Sequence, residues 1–119
     1  MKRSHRDLKV WQEAISLVET IYRLTTAFPK EEQYGLTSQM RRAATSVPAN
    51  IAEGAARSGT RELLHFLSIA TGSLSELDTH IEVAKRLGLM KQTADVQEQI
   101  DRVTALTLAL AKSLRAKSV

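Results

Sequence analysis

Residues 61–87 read RELLHFLSIATGSLSELDTHIEVAKRL. Within them Leu63, Leu67, Ala70, Leu74, Leu77, Ile81 and Ala84 recur at alternating intervals of four and three. One apolar residue every 3.5 positions is the seam of a helix that lies along other helices. Gly88 follows as a natural C-terminal stop. A seam of this length needs partners, so the rest of the chain should supply further amphipathic helices.

It does so on both sides. Upstream, Ser58-Gly59-Thr60 is too short to do anything but fold the chain back, with Thr60 or Ser58 as the expected N-cap. Before it, Leu36 to Arg57 reads as a helix whose core face is Leu36, Met40, Ala43, Ala44, Val47, Ile51 and Ala55. Small residues dominate that face, so a neighbouring helix can approach closely. Pro48 lies inside the pattern, where the lost backbone donor predicts a bend rather than a break. Phe28-Pro29 and Gly35 bracket the loop that precedes it. The first helix is expected from about Asp7 to Ala27 and the fourth from about Thr93 to Lys117, with Val96, Ile100, Val103, Thr107, Leu110 and Leu114 as the seam of the latter. The expected fold is therefore all-α: a single domain over residues 1–119, an antiparallel up-down-up-down four-helix bundle with short basic termini. The chain's five glycines and two prolines are too few for the turns of a sandwich or barrel. No internal repeat or low-complexity segment occurs.

The first helix carries more apolar surface than a small bundle requires. Leu8, Val10, Trp11, Ala14, Ile15, Leu17, Val18, Ile21, Tyr22 and Leu24 span roughly 200° of the wheel, about twice the usual stripe. Leu108 points away from the fourth helix's seam, and Gly72 sits on the outer face of the third. Self-association would use all three features, so Trp11, Leu17, Leu24, Gly72 and Leu108 are the expected oligomer interface.

The formal charge is +4, unevenly distributed. Residues 1–9 hold four bases against one acid, residues 112–119 hold three bases and no acid, and the remainder is slightly acidic. Alternating helix direction brings the start of the first helix, the connection between the second and third, and the end of the fourth to one pole. That pole gathers Lys2, Arg3, Arg6, Lys9, Arg57, Arg61, Lys112, Arg115 and Lys117, opposed mainly by Asp7, Glu53 and Glu62. Such a cluster is the electrostatic footprint of a nucleic-acid backbone or another acidic partner. Trp11 falls on the core side of the wheel, so no aromatic is interleaved with the bases. Binding is then expected to be led by phosphates and sensitive to salt.

Along the second helix Gln39, Arg42, Ser46, Asn50 and Glu53 form a polar stripe that continues to Arg57. It reads either as a groove for a partner or as an inter-helix hydrogen-bond network, with Glu53 pairing Arg57 one turn on. A protein-binding adaptor using this stripe or the first helix's face, with no role for nucleic acid, is the alternative to the basic-pole reading.

The spacing Glu62-x-x-His65 occurs once, whereas di-iron bundles need it twice with two further glutamates. Glu76, His80 and Glu82 read as a solvated face, so no metal and no cofactor is expected. No nucleophile triad, phosphate loop or dinucleotide fingerprint is present, and an enzyme is not expected. There are no cysteines. Their absence, with no apolar run long enough for a leader or a membrane span, fits a cytoplasmic protein.

Taken in order, Trp11-Gln12, Ala14, Tyr22, Phe28-Pro29, Glu32, Tyr34-Gly35-Leu36, Gln39, Arg41-Arg42-Ala43, Ser46, Asn50-Ile51-Ala52-Glu53-Gly54, Phe66-Leu67, Ile69-Ala70, Gly72-Ser73-Leu74, Glu76-Leu77 and Leu87-Gly88 resemble the bacterial four-helix-bundle family named after proteins encoded in intervening sequences of 23S ribosomal RNA genes. The resemblance covers nearly the whole chain, and the Asn-Ile-Ala-Glu-Gly run after Arg-Arg-Ala is its most specific part. It implies an antiparallel bundle that assembles as a ring-like homopentamer. The related accessory variability protein of diversity-generating retroelements binds a reverse transcriptase and nucleic acid through basic surfaces. The chain departs from the pattern at Leu63-Leu64-His65, where Glu-Phe and a small or polar residue are usual.

Overall fold

The structure, a computed structural model, describes residues 4–117. Four helices account for most of it: α1 (Lys9–Thr26), α2 (Leu36–Ala56), α3 (Thr60–Arg86) and α4 (Ala94–Lys117). There is no strand among the described residues. α1 packs on α2, α2 on α3, α3 on α4, and α4 closes back on α1. This is the up-down-up-down bundle, elongated along the helices at 48 × 27 × 19 Å.

The alternating intervals do what they predict. Leu67, Ala70, Leu74, Leu77, Ile81 and Ala84 are all buried, as are Met40, Ala43, Ala44, Val47 and Ile51 facing them from α2. Leu63, at the end of the seam, is only partly covered. The α2–α3 seam is the closest in the molecule because α2 offers alanines and, at its end, Gly54. A Cβ on Gly54 would lie 2.8 Å from the Phe66 Cβ and 3.0 Å from the Leu63 Cδ1, so only glycine permits this approach. Pro48 is buried inside α2, and the helix runs on through it to Ala56.

Three expectations need correction. The first helix starts at Lys9 rather than Asp7, because residues Ser4–Asp7 form a 3-10 turn closed by Leu8 N–H donating to the His5 carbonyl at 3.0 Å. That turn packs against α1 and α2 at the basic pole. Neither Thr60 nor Ser58 caps α3. Gly59 occupies the cap position at φ +100°, with no side-chain cap, and Thr60 is already helical. A positive φ is costly for any residue with a Cβ, so backbone geometry decides the cap.

Leu17 is not an interface residue. It is fully buried in the chain's own core with Val10, Ala14 and Ile21. The wide apolar arc of α1 divides: its centre fills this core, Trp11, Val18 and Leu24 pack partly against it, and Ile15 and Tyr22 are exposed.

Candidate nucleic-acid interface and the polar seam

The bundle places the N-terminal turn and the α1 start, the α2–α3 connection and the α4 end at one pole. Lys2 and Arg3 lie outside the described residues. Arg6, Lys9, Arg57, Arg61, Lys112, Arg115 and Lys117 are exposed there. Among the described residues Arg6, Lys9, Arg61, Lys112 and Lys117 make no ion pair. Arg57 is held by Glu53 at 2.8 Å. The Glu53 hydrogen bond, and then its charge, raise the Arg57 guanidinium above its usual value.

Aromatic rings do accompany these cations, contrary to the sequence expectation. The Arg57 guanidinium sits 5.3 Å from the Phe66 ring centre, and the Arg6 guanidinium sits 5.3 Å from that of Trp11. His5 meets Trp11 edge-on at 5.1 Å, and His65 meets Phe66 in the same way at 5.3 Å. Trp11 is half-buried rather than in the core. Arg57, Arg61, Glu62, His65 and Phe66 line one open concavity. Arg57 ends α2 and Phe66 belongs to α3, and only the helix reversal at Gly59 brings the two together. Beside this concavity, Leu64, Leu108, Ala111 and Arg115 line a shallow groove between α3 and α4.

The polar stripe of α2 is a network. Arg42 donates to Gln39 at 2.8 Å and crosses to Glu76 of α3 at 3.0 Å. Ser46 and Ser73 share a hydrogen bond at 2.8 Å, and Asn50 donates to the Ser46 carbonyl and hydroxyl at 2.8 and 2.9 Å. Glu53 takes Arg57 one turn on. These bonds sew α2 to α3 along the exposed edge of their tight seam.

The metal-like residues separate. Glu76 holds Arg42 and His80, the latter at 3.2 Å, Glu82 holds Arg86 at 2.8 Å, and His65 lies against Phe66. No group of three potential ligands forms among the described residues.

The remaining predicted interface positions are spread out. Leu24 is half-buried, Leu108 is 52% exposed, and Gly72 faces open space. Two contacts carry no signal in the sequence because they join distant residues. Glu13 of α1 pairs with Arg102 of α4 at 2.8 Å. Arg41 of α2 lies over the Tyr22 ring of α1 at 4.4 Å. The second needs the α1–α2 register, which periodicity alone does not supply.

These features define an all-α helical bundle with one basic, aromatic-bearing pole. A family model described as 23S rRNA-intervening sequence protein matches residues 6–109, and the chain belongs to that family. A solved structure, that of a protein with unknown function from the S23 ribosomal protein family of Bacteroides thetaiotaomicron VPI-5482, is similar at 19% identity with a TM-score of 0.62. The likeness covers 90% of this chain and 95% of that one, and it supports the fold. No curated protein matches the chain. No helix among the described residues is long and apolar enough to cross a membrane.

Proposed function

We propose that this chain is a non-enzymatic, cytoplasmic interaction protein that binds a nucleic-acid backbone through its basic pole and assembles as a homo-oligomer. The observation that carries the reading is the pole itself. Among the described residues Arg6, Lys9, Arg61, Lys112 and Lys117 stand there without an ion pair, and Arg57 and Arg61 share a concavity with Phe66. Cations left without carboxylate partners are free to displace counterions from phosphates. Phe66 and Trp11 add ring surface, already in contact with arginines, on which a base of a single strand can stack. Self-assembly would strengthen such binding, because a ring of copies repeats the pole and multiplies a weak contact. The exposed Leu108 and the open face at Gly72 are the surfaces offered for it. The adaptor reading through the α2 stripe is less favoured, since that stripe's side chains are engaged with one another and with α3.

The test is binding of single- and double-stranded RNA and DNA, followed by fluorescence anisotropy at about 50 mM salt and again at higher salt. Binding that falls steeply with salt, and weakens when residues 1–6 and 113–119 are removed, supports the proposal. No binding at low salt, or binding indifferent to those ends, overturns it. Light scattering of the same sample reads the assembly: a mass of 13.2 kDa would overturn the oligomer.

A further inference from the structure

The opposite end of the bundle holds a cation of a different kind. Arg41 is half-buried and built into the α1–α2 seam. Its Nε donates to the Thr25 hydroxyl at 2.9 Å, and its Nη2 reaches the Tyr22 carbonyl and the Thr26 hydroxyl at 3.4 Å. None of these partners is a carboxylate, and Nη1 makes no hydrogen bond among the described residues. A guanidinium fastened along one edge by neutral acceptors keeps its full charge and leaves its other donors for an oxyanion.

Thr37 lies beside it: the residue is only 8% exposed, but its hydroxyl opens to solvent and makes no hydrogen bond among the described residues, so it is available to a ligand. Thr37 lines two adjoining open concavities of about 360 and 370 Å³, and Arg41 and Gln33 line both as well. Lys30 lines one of them and Arg42, which is paired with Glu76, lines the other; no acidic residue lines either one. The nearby Glu32 carboxylate accepts from the Leu36 N–H at 3.2 Å, at the start of α2. The first of the two concavities also takes in Tyr34, which is 88% exposed and makes no hydrogen bond or ring contact among the described residues.

We infer that this end binds a small phosphorylated ligand with a planar ring, of the nucleoside-monophosphate class, with its phosphate on Arg41 and Thr37 and its ring against Tyr34. The volume falls within the range of small-molecule sites. A bare oxyanion would use Arg41 and Thr37 and leave Tyr34 idle. The site lies at the opposite pole from the basic one and stands or falls separately from it.

The test is a titration of the full-length, ¹⁵N-labelled chain with AMP, alongside adenosine and inorganic phosphate as separate probes. Expected are saturable shifts at Tyr34, Thr37 and Arg41 with a Kd below about 1 mM. Tyr34→Ala, at an exposed position, and Arg41→Lys, which keeps the charge but loses the fork, should each weaken AMP about fivefold or more. A double Arg57→Glu, Arg61→Glu variant should leave AMP binding unchanged. The inference is overturned by any of four results: no saturable shift at these residues, adenosine or inorganic phosphate binding as tightly as AMP, AMP shifts centred on the basic pole, or unchanged AMP affinity in a folded Arg41→Lys protein.

Discussion

The two ends of the bundle handle positive charge in opposite ways. At the basic pole the cations are many and exposed, and among the described residues most of them make no ion pair, so affinity would scale with their number and decline with salt. At the far end Arg41 is fixed over Tyr22 by neutral hydrogen-bond acceptors, and what it recognises would depend on shape. Net charge sees only the first. The difference teaches that a chain of +4 can hold both a diffuse electrostatic surface and one preorganised guanidinium.

Charge reversal at the basic pole is the strongest way to break the contrast. Arg57→Glu with Arg61→Glu and Lys112→Glu is expected to lower nucleic-acid affinity at least about 100-fold at low salt. The salt dependence should flatten by two to three counterions, roughly one for each phosphate that is no longer neutralised. All three positions are exposed, so circular dichroism should show an unchanged fold. Arg41→Lys should leave this binding alone. If Arg41→Lys weakens it as much as the triple reversal does, the ends are not separate.

The next effect concerns the seam that joins the ends. Gly54→Ala forces the α2–α3 approach apart, since the new Cβ would meet the Phe66 Cβ at 2.8 Å. Overpacking of this kind costs about 1–3 kcal/mol, read as a fall in Tm of roughly 4–12 °C. The basic pole should suffer with it, because the same displacement moves Phe66 away from Arg57. Gly72→Ala is the matched control: nothing lies within 4 Å of its added Cβ, and a helix-interior alanine should stabilise by about 0.5–1 kcal/mol. In an assembly that buries Gly72 the gain should vanish, so the sign of the change in Tm also reports on the oligomer interface.

The core seam was legible in the sequence, and the features that were not share a cause. Leu67 to Ala84 could be placed because period alone says which residues point inward. The place of Leu17 is not legible, because a wheel gives the width of an apolar arc and not what fills it; α1 is covered by both α2 and α4. The cap at Gly59 has no side-chain signal, because what sets it is a backbone angle. Phe66 under Arg57 and Tyr22 under Arg41 both depend on how two helices register, a tertiary quantity with no local signature. The Glu53–Arg57 pair is one helical turn long, and its spacing did reveal it.

That pair has a twin, and the twin isolates what the basic pole adds. Glu53–Arg57 at the end of α2 and Glu82–Arg86 in the last turns of α3 are both one-turn pairs at 2.8 Å, one at each end of the bundle. The Arg86 hydrogen bond lowers the Glu82 carboxyl below its usual value. Its contribution to stability is therefore present above the ordinary carboxylate range and is lost as pH falls through the lowered folded value. Because the pair is exposed, Glu82→Gln should leave thermal stability at neutral pH almost unchanged and only slightly flatten its decline in acid. Glu53→Gln should be equally mild for stability. It differs in function: removing Glu53 releases Arg57 from a competing anion while Phe66 keeps it in place, so nucleic-acid affinity should rise about two- to threefold. Anisotropy titrations of the two variants side by side read this directly. Equal behaviour of the two would mean that Arg57 makes no phosphate contact, and the basic pole would then have to be redrawn around Arg61 and the chain ends.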